Sequence, residues 1–504
     1  MNQLEGQILD WLAQQDMEIY LAGGSVRDRL LGRPLYDLDL TVTGDGLALA
    51  RRLANRFRGA YYALDDERGT GRVIIGVSSE QPLIIDVAQF RGDSLAADLA
   101  DRDFTINALA LNLRAAVDLR SGPEIIDHHG GLADLKAGRI RPVSDASIRN
   151  DPLRALRAVR FAGQLGFALD PATKALIRRD AGDLGAVSGE RLRDELSKIL
   201  ALPASEPRLR QLDDLGLLSA LFPELEPLRG LEQSLPHHLD VHAHSLRAVA
   251  ALEAILRAWA PGSSAAGEAG DGSIAGDQAR AVAGALAPFA GRFGSHLAQP
   301  LSDKRPRLVA LKLTVLLHDL GKAPARSQAP DGRIRFIGHD ALGVQLAGDA
   351  FRRLRFAKTE LRLAQTVIRH HLRPLLLASG ETVTSRAVYR FFRDTGDAGV
   401  DVLLHALADH LATYAPGTGL DGRAVLVALV QRMLTGYWDR EEESVHPPKL
   451  IDGRDLLSAF DLEPGPQIGA ALEFVREAQA AGEVHTRDEA LDLVRHWLAT
   501  QDAL

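Results

Sequence analysis

The sequence predicts an α+β protein in which a small mixed sheet with packed helices is followed by a long, mostly helical remainder. Two observations carry this: β-branched, alternating runs cluster before about residue 145, and after it helical spacing dominates while strand signals nearly vanish. No repeat of fixed period is present, which excludes a solenoid. In order, "MEIYLAGG" is a β-rich run ending in glycines, and "SVRDRLLG" has helical spacing. "YDLDLTV", "GRVIIGV" and "PLIIDVAQF" alternate as strands. "DPLRALRAVRFAGQLG" and "SGERLRDELSKILA" then read as successive helices. The small, polar, Gly-rich stretch 261–277, "PGSSAAGEAGDGSIAGD", reads as a flexible loop or insertion.

Composition bounds the function. At 504 residues, 46% hydrophobic and 25% charged, the chain has room for about three domains with a large core. It has no cysteine, which excludes disulfides and thiolate metal sites and fits a reducing compartment. The amphipathic start, "MNQLEGQILDWLAQQ", lacks the order of a secretory signal, and no apolar run approaches the ~20 residues of a membrane span. A cytoplasmic protein without membrane contact is expected. The net charge of −8 argues against a general nucleic-acid coat, so any polyanion must meet a local basic patch. Residues 150–161 and 352–364 are the candidates.

The stretch "LAGGSVRDRLLGRPLYDLDLTVT" holds the chemistry of the first part. A Gly-Gly turn after a strand, at Gly23 and Gly24, lets backbone N–H groups approach a triphosphate. Asp37 and Asp39, two apart on a strand, project from one face and can share divalent cations. Two-metal nucleotidyl transfer needs that arrangement: one ion activates the attacking hydroxyl, and the other neutralises the phosphates and leaving group. Asp86, on a neighbouring predicted strand, is a third carboxylate by strand logic. Taken singly, the glycines read as a turn and Asp-x-Asp as an edge or cap; their combination favours catalysis.

Together with "DRDFTINALAL" and "NDPLRALRAVRFAGQLGF", this stretch resembles the class II tRNA nucleotidyltransferase and bacterial poly(A) polymerase family, of the polymerase-beta-like nucleotidyltransferase superfamily. The resemblance runs from about residue 20 to 200. It implies a template-independent polymerase that adds CMP and AMP to tRNA 3′ ends, with Asp37 and Asp39 holding magnesium. It also matches Gly23, Gly24, Arg27 and Asp28 to the glycine-rich nucleotide motif, and Arg102 and Asp103 to the ribose contacts. Asp101 departs from the family's usual arginine. The Gly130-Gly131 pair falls in the loop between ribose contact and base reader, where it would give hinge freedom.

Arg154, Arg157 and Arg160 follow at three-residue steps, with Asp151 at the N-terminal end of the stripe. An aspartate that accepts from an exocyclic amine, beside an arginine that donates to a ring nitrogen, imitates a Watson–Crick edge. Cytosine and adenine fit it; uracil and guanine present the opposite order. The resemblance assigns base reading to Asp151 and Arg154, and phosphate-side contacts to Arg157 and Arg160. Asn150 stands where the family usually has Glu; its carbonyl can hold Arg154 but supplies no charge.

The second half carries His244, "LLHDLGKAP" with His318 and Asp319, His339, His370, His371 and Asp409. Histidines and carboxylates on helices suit a divalent transition metal. The set resembles the HD phosphohydrolase superfamily, which implies His244, His318, Asp319 and Asp409 as ligands and His339, His370 and His371 as secondary ligands or phosphate contacts. The expected organisation is a nucleotidyltransferase head (1–140), a helical neck with the base reader (141–230), a helical HD domain (231–415) and a C-terminal helical extension (416–504). The expected partners are a tRNA 3′ end, CTP and ATP. A poly(A) polymerase, a CC-only or A-only enzyme, or an HD phosphohydrolase with a nucleotide- or RNA-binding regulatory head are the alternatives.

Overall fold

The computed structural model describes residues 3–501 apart from 36, 77–81, 115–123, 260–273, 304, 381–382, 416 and 446. The chain divides into two compact units, Met1–Leu202 with Gln211–Leu221, and Pro203–Arg210 with Phe222–Leu504.

In the first unit, helix α1 (Gln3–Ala13) precedes β1 (Ile19–Ala22), α2 (Gly24–Leu30), β2 (Asp37–Val42), α3 (Gly46–Phe57), β3 (Ala60–Asp65), β4 (Thr70–Ile75) and β5 (Leu83–Gln89). After α4 (Leu95–Ala100) come β6 (Leu109–Asn112), β7 (Ile126–Asp127) and α5 (Gly131–Lys136). The seven strands form one mixed sheet in the order β3-β4-β5-β2-β1-β6-β7, with β2 and β5 parallel. Strands β1, β2, β4 and β5 are those expected from alternation. Leu38, Leu40 and Val42 enter a core with Ile8, Leu12, Leu49, Leu53, Ile85 and Val87. The pleat therefore turns Asp37 and Asp39 to the opposite face, and the β2/β5 register sets Asp39 beside Asp86.

Helices α6 (Ser147–Asn150), α7 (Leu153–Leu165), α8 (Pro171–Asp180) and α9 (Gly189–Leu200) complete the described part of this unit that bears on the site. Ser188 starts α9 by accepting from the Arg191 N–H.

The second unit is helical apart from strands of two or three residues. The expected loop at 261–277 is corrected in its described part: Ile274–Ala285 is a helix, since Ala279, Val282 and Ala283 recur at helical spacing and are buried. The remainder of that stretch lies outside the described residues. A separate small core near the C-terminus joins Leu456, Val475, Val484 and Val494. Among the described residues, no helix is long and apolar enough to cross a membrane.

Candidate active site

A cleft of about 1520 Å³ in the first unit is lined by the metal- and nucleotide-site candidates of its sequence: Gly23, Gly24, Arg27, Asp28, Asp37, Asp39, Asp86, Arg102, Asp103, Asp151, Arg154, Arg157 and Arg160. Asp37 and Asp39 point into it, and neither carries an ion pair with a basic side chain among the described residues. Burial, followed by the neighbouring Asp86 and Asp37 charges, pushes the Asp39 carboxyl up to about 6. Asp37 is raised by burial and then by Asp86. Crowded carboxylates without a directly bonded counter-charge form an unsatisfied cation site. Asp86 differs, because Arg72, directly across the β4/β5 ladder, holds both its oxygens at 2.8 Å. It therefore acts on the pair through its charge while bound to its own arginine.

The glycines make room. Gly23 has φ 67°, and a Cβ there would sit 2.6 Å from Arg102 Nη1; one on Gly24 would lie 3.3 Å from Asp39 Oδ2. The expectation that Gly23 offers its N–H to an anion is corrected, because that group donates to the Leu109 carbonyl at 3.1 Å. Ser25, unremarked in the sequence, ties the glycine turn to the aspartates. Its hydroxyl donates to the Asp37 carbonyl at 3.1 Å and accepts from the Asp39 N–H at 2.7 Å.

The arginines are held in a network that spacing alone does not reveal. Arg27 grips Asp28 through Nε (2.9 Å) and Nη2 (2.8 Å) and donates to Asn107 Oδ1 at 2.7 Å. Arg102 and Asp103 do not pair with each other: Arg102 bonds to Asp98, and Asp103 accepts from Asn107 and Arg157. Burial alone would raise Asp103, yet Arg157 and Asn107 bring its carboxyl below the usual range. Arg160 pairs with Glu195 and stacks on Phe161. Arg154 is buried and donates to the carbonyls of Asp101, Arg102 and Ser147 and to the Ser147 hydroxyl, so Asn150 is not what holds it. Asp151 pairs at 2.8 Å with Arg191, the second residue missed. Its signal was the α9 spacing, which turns Arg191 toward α7.

The Gly130-Gly131 hinge is also corrected. A Cβ on Gly131 would lie 2.2 Å from the Thr105 carbonyl oxygen, and Asp127 accepts from the N–H groups of His129, Gly131 and Leu132. The pair provides close packing in a fastened turn.

In the second unit two buried triads come together, each with ligand atoms within 4.8 Å of one another: His244, His318 and Asp409, and Asp319, His339 and His371. His244 Nε2 lies 2.8 Å from Asp409 Oδ1, His318 Nε2 3.1 Å from Asp319 Oδ2, and His339 Nε2 3.1 Å from His371 Nε2. Gly321, in His-Asp-x-Gly-Lys, allows this, since a Cβ there would meet the His339 carbonyl oxygen at 1.9 Å. Lys322 Nζ lies 2.7 Å from Asp319 Oδ2. The donor set fits a divalent metal: among the described residues, His244 Nδ1 and Asp319 Oδ1 are buried without a hydrogen-bond partner. Burial opposes charge on His318, but Asp319 and Asp409 raise it to about 10, so without a metal a proton neutralises the site. Burial and then His318 lower His371 to about 4, leaving it neutral as a ligand must be. His370 is the exception. One position from His371, it is half-buried, and after burial its environment is set by Arg373 and Asp394.

Comparison with known proteins gives a consistent picture. A model of the poly A polymerase head domain matches residues 19–141, the RNA and SrmB binding site of polymerase A 166–228, an HD domain 279–414, and tRNA nucleotidyltransferase domain 2 444–494. The chain is 32% identical to the A-adding tRNA nucleotidyltransferase of Deinococcus radiodurans over 95% of both chains. It is 30% identical to the CC-adding enzyme of Thermus thermophilus over 96% of this chain and 95% of that one. A multifunctional CCA protein of Xanthomonas campestris pv. campestris is 31% identical, with 92% and 98% covered. Among solved structures, a CCA-adding enzyme in apo form shares the fold at TM-score 0.60 and 21% identity, over 98% of this chain and 92% of that one. A CCA-adding enzyme with CTP does so at 0.60 and 22%, with 98% and 94% covered.

Proposed function

The chain belongs to the tRNA nucleotidyltransferase family, and from that premise we propose that it adds CMP, AMP or both to the 3′ end of tRNA and works in the cytoplasm. The observation that carries this is the unpaired Asp37–Asp39 couple facing a cleft that also holds the glycine turn and the arginine stripe. In the reaction the RNA 3′-oxygen forms a bond to the α-phosphorus of CTP or ATP, the bond to the β-phosphate bridge breaks, and pyrophosphate leaves with the hydroxyl proton released. Magnesium bound by Asp37 and Asp39 would supply charge neutralisation and hydroxyl activation. Gly23 and Gly24 give the triphosphate and Arg102 room. Arg102 and Asp103 face the ribose. Asp151 and Arg154 read the base edge, and Arg157 and Arg160 flank the phosphates while bracing Asp103 and Glu195.

The test offers labelled CTP or ATP with tRNA lacking CCA, tRNA ending in CC, and a generic oligonucleotide. Incorporation into one or both tRNAs but not the oligonucleotide is expected, and which tRNA is extended assigns CC, A or CCA addition. Equal extension of the oligonucleotide would replace this reading with a poly(A) polymerase. The two triads favour a second reading beside the first: the HD region holds divalent transition metal and hydrolyses phosphate esters. Bound metal there would polarise a phosphate and activate water. Release of phosphate from RNA cyclic-phosphate ends checks it.

A further inference from the structure

His405 has no place in the function described so far. It lies on the helix Gly399–Thr413 four residues before Asp409, so both side chains leave the same helix face one turn apart. It is 0% exposed, and both its ring nitrogens lack a hydrogen-bond partner. Its ring centroid is 4.6 Å from that of His318 and 5.7 Å from that of His371, one histidine of each triad. A buried imidazole with both nitrogens orphaned is costly, and the described residues supply no partner. A cation seated among His318, Asp319 and Asp409 would supply one. We infer that His405 is a further nitrogen donor to the divalent-metal centre, packed against one histidine of each triad. This rests on the reading of the HD region as a metal centre.

A purely spacing role, in which the ring only fills volume against His318 and His371, predicts something different, and His405→Phe separates the two. The full chain is stripped with a chelator and titrated with Co²⁺ or Mn²⁺, following melting temperature, bound metal per chain and the Co²⁺ absorption spectrum. Wild type should gain melting temperature with metal. His405→Phe should melt higher than wild type when metal-free, because an orphaned polar ring is replaced by an apolar one, and should bind metal about tenfold or more weakly with an altered Co²⁺ spectrum. His405→Gln should also bind more weakly, and it serves if the Phe variant fails to fold. Wild-type stoichiometry, affinity and spectrum in either folded variant would overturn the inference. If metal neither binds nor stabilises the wild type, the metal-centre reading itself fails, a result distinct from the first.

Discussion

At Asp39 the needs of the fold and of the chemistry pull apart. Its carboxyl, raised from 3.8 to about 6, favours the folded state fully below its unfolded value, and that contribution is lost as pH rises through about 6. Above that pH the ionised group opposes folding until a cation arrives. Asp39→Asn should therefore stabilise the metal-free chain at pH 8 by about 1–3 kcal/mol, with little change at pH 4, while abolishing incorporation. Denaturant melts at the two pH values check this; equal effects at both would refute the account. By the same sign, magnesium affinity of the wild type should fall as pH drops through about 6, measurable by calorimetric titration. Asp37→Ala should abolish incorporation without unfolding the chain.

At the scale of elements, α7 and α9 pack against each other beside the cleft, and the 2.8 Å pair between Asp151 and Arg191 fixes the carboxylate proposed to read the base. Arg191 is half-exposed, so its loss should cost less than about 1 kcal/mol of stability. We expect Arg191→Ala to keep the melting temperature and to raise UTP incorporation relative to CTP or ATP by about tenfold, because a freed carboxylate no longer enforces donor–acceptor order. An unchanged ratio, with Asp151→Ala relaxing it, would show that Asp151 needs no such support. The turn at α5 gives a packing test. Gly131→Ala drives a methyl group into the Thr105 carbonyl and should destabilise the chain by about 2 kcal/mol or more, seen as a melting point several degrees lower.

For the whole molecule, each compact unit contains its own centre of carboxylate chemistry, the cleft in one and the paired triads in the other. The two proposed activities should therefore separate by mutation. His318→Ala should remove metal from the second unit and leave tRNA extension intact, whereas Asp37→Ala should do the reverse; parallel assays of labelled nucleotide incorporation and phosphate release decide it. Strand order aside, much of this was legible in the sequence. Alternation in "YDLDLTV" and "PLIIDVAQF" sets which side chains share a face, a property of the pleat that needs no tertiary contact. The i, i+3 steps of Arg154, Arg157 and Arg160 likewise follow from helix geometry alone. What only the tertiary structure decided is which charges find partners. Arg72 claims Asp86 because β4 pairs antiparallel with β5 in one register; Asp103 is taken by Arg157, Asp151 by Arg191; and His405 comes to lie against a histidine of each triad while His370, next to His371 in sequence, belongs to neither triad. Local periodicity determines the direction in which a side chain leaves its own element. The group it meets there depends on the packing of elements far apart in the chain, and pairing energies and pKa values depend on that distance.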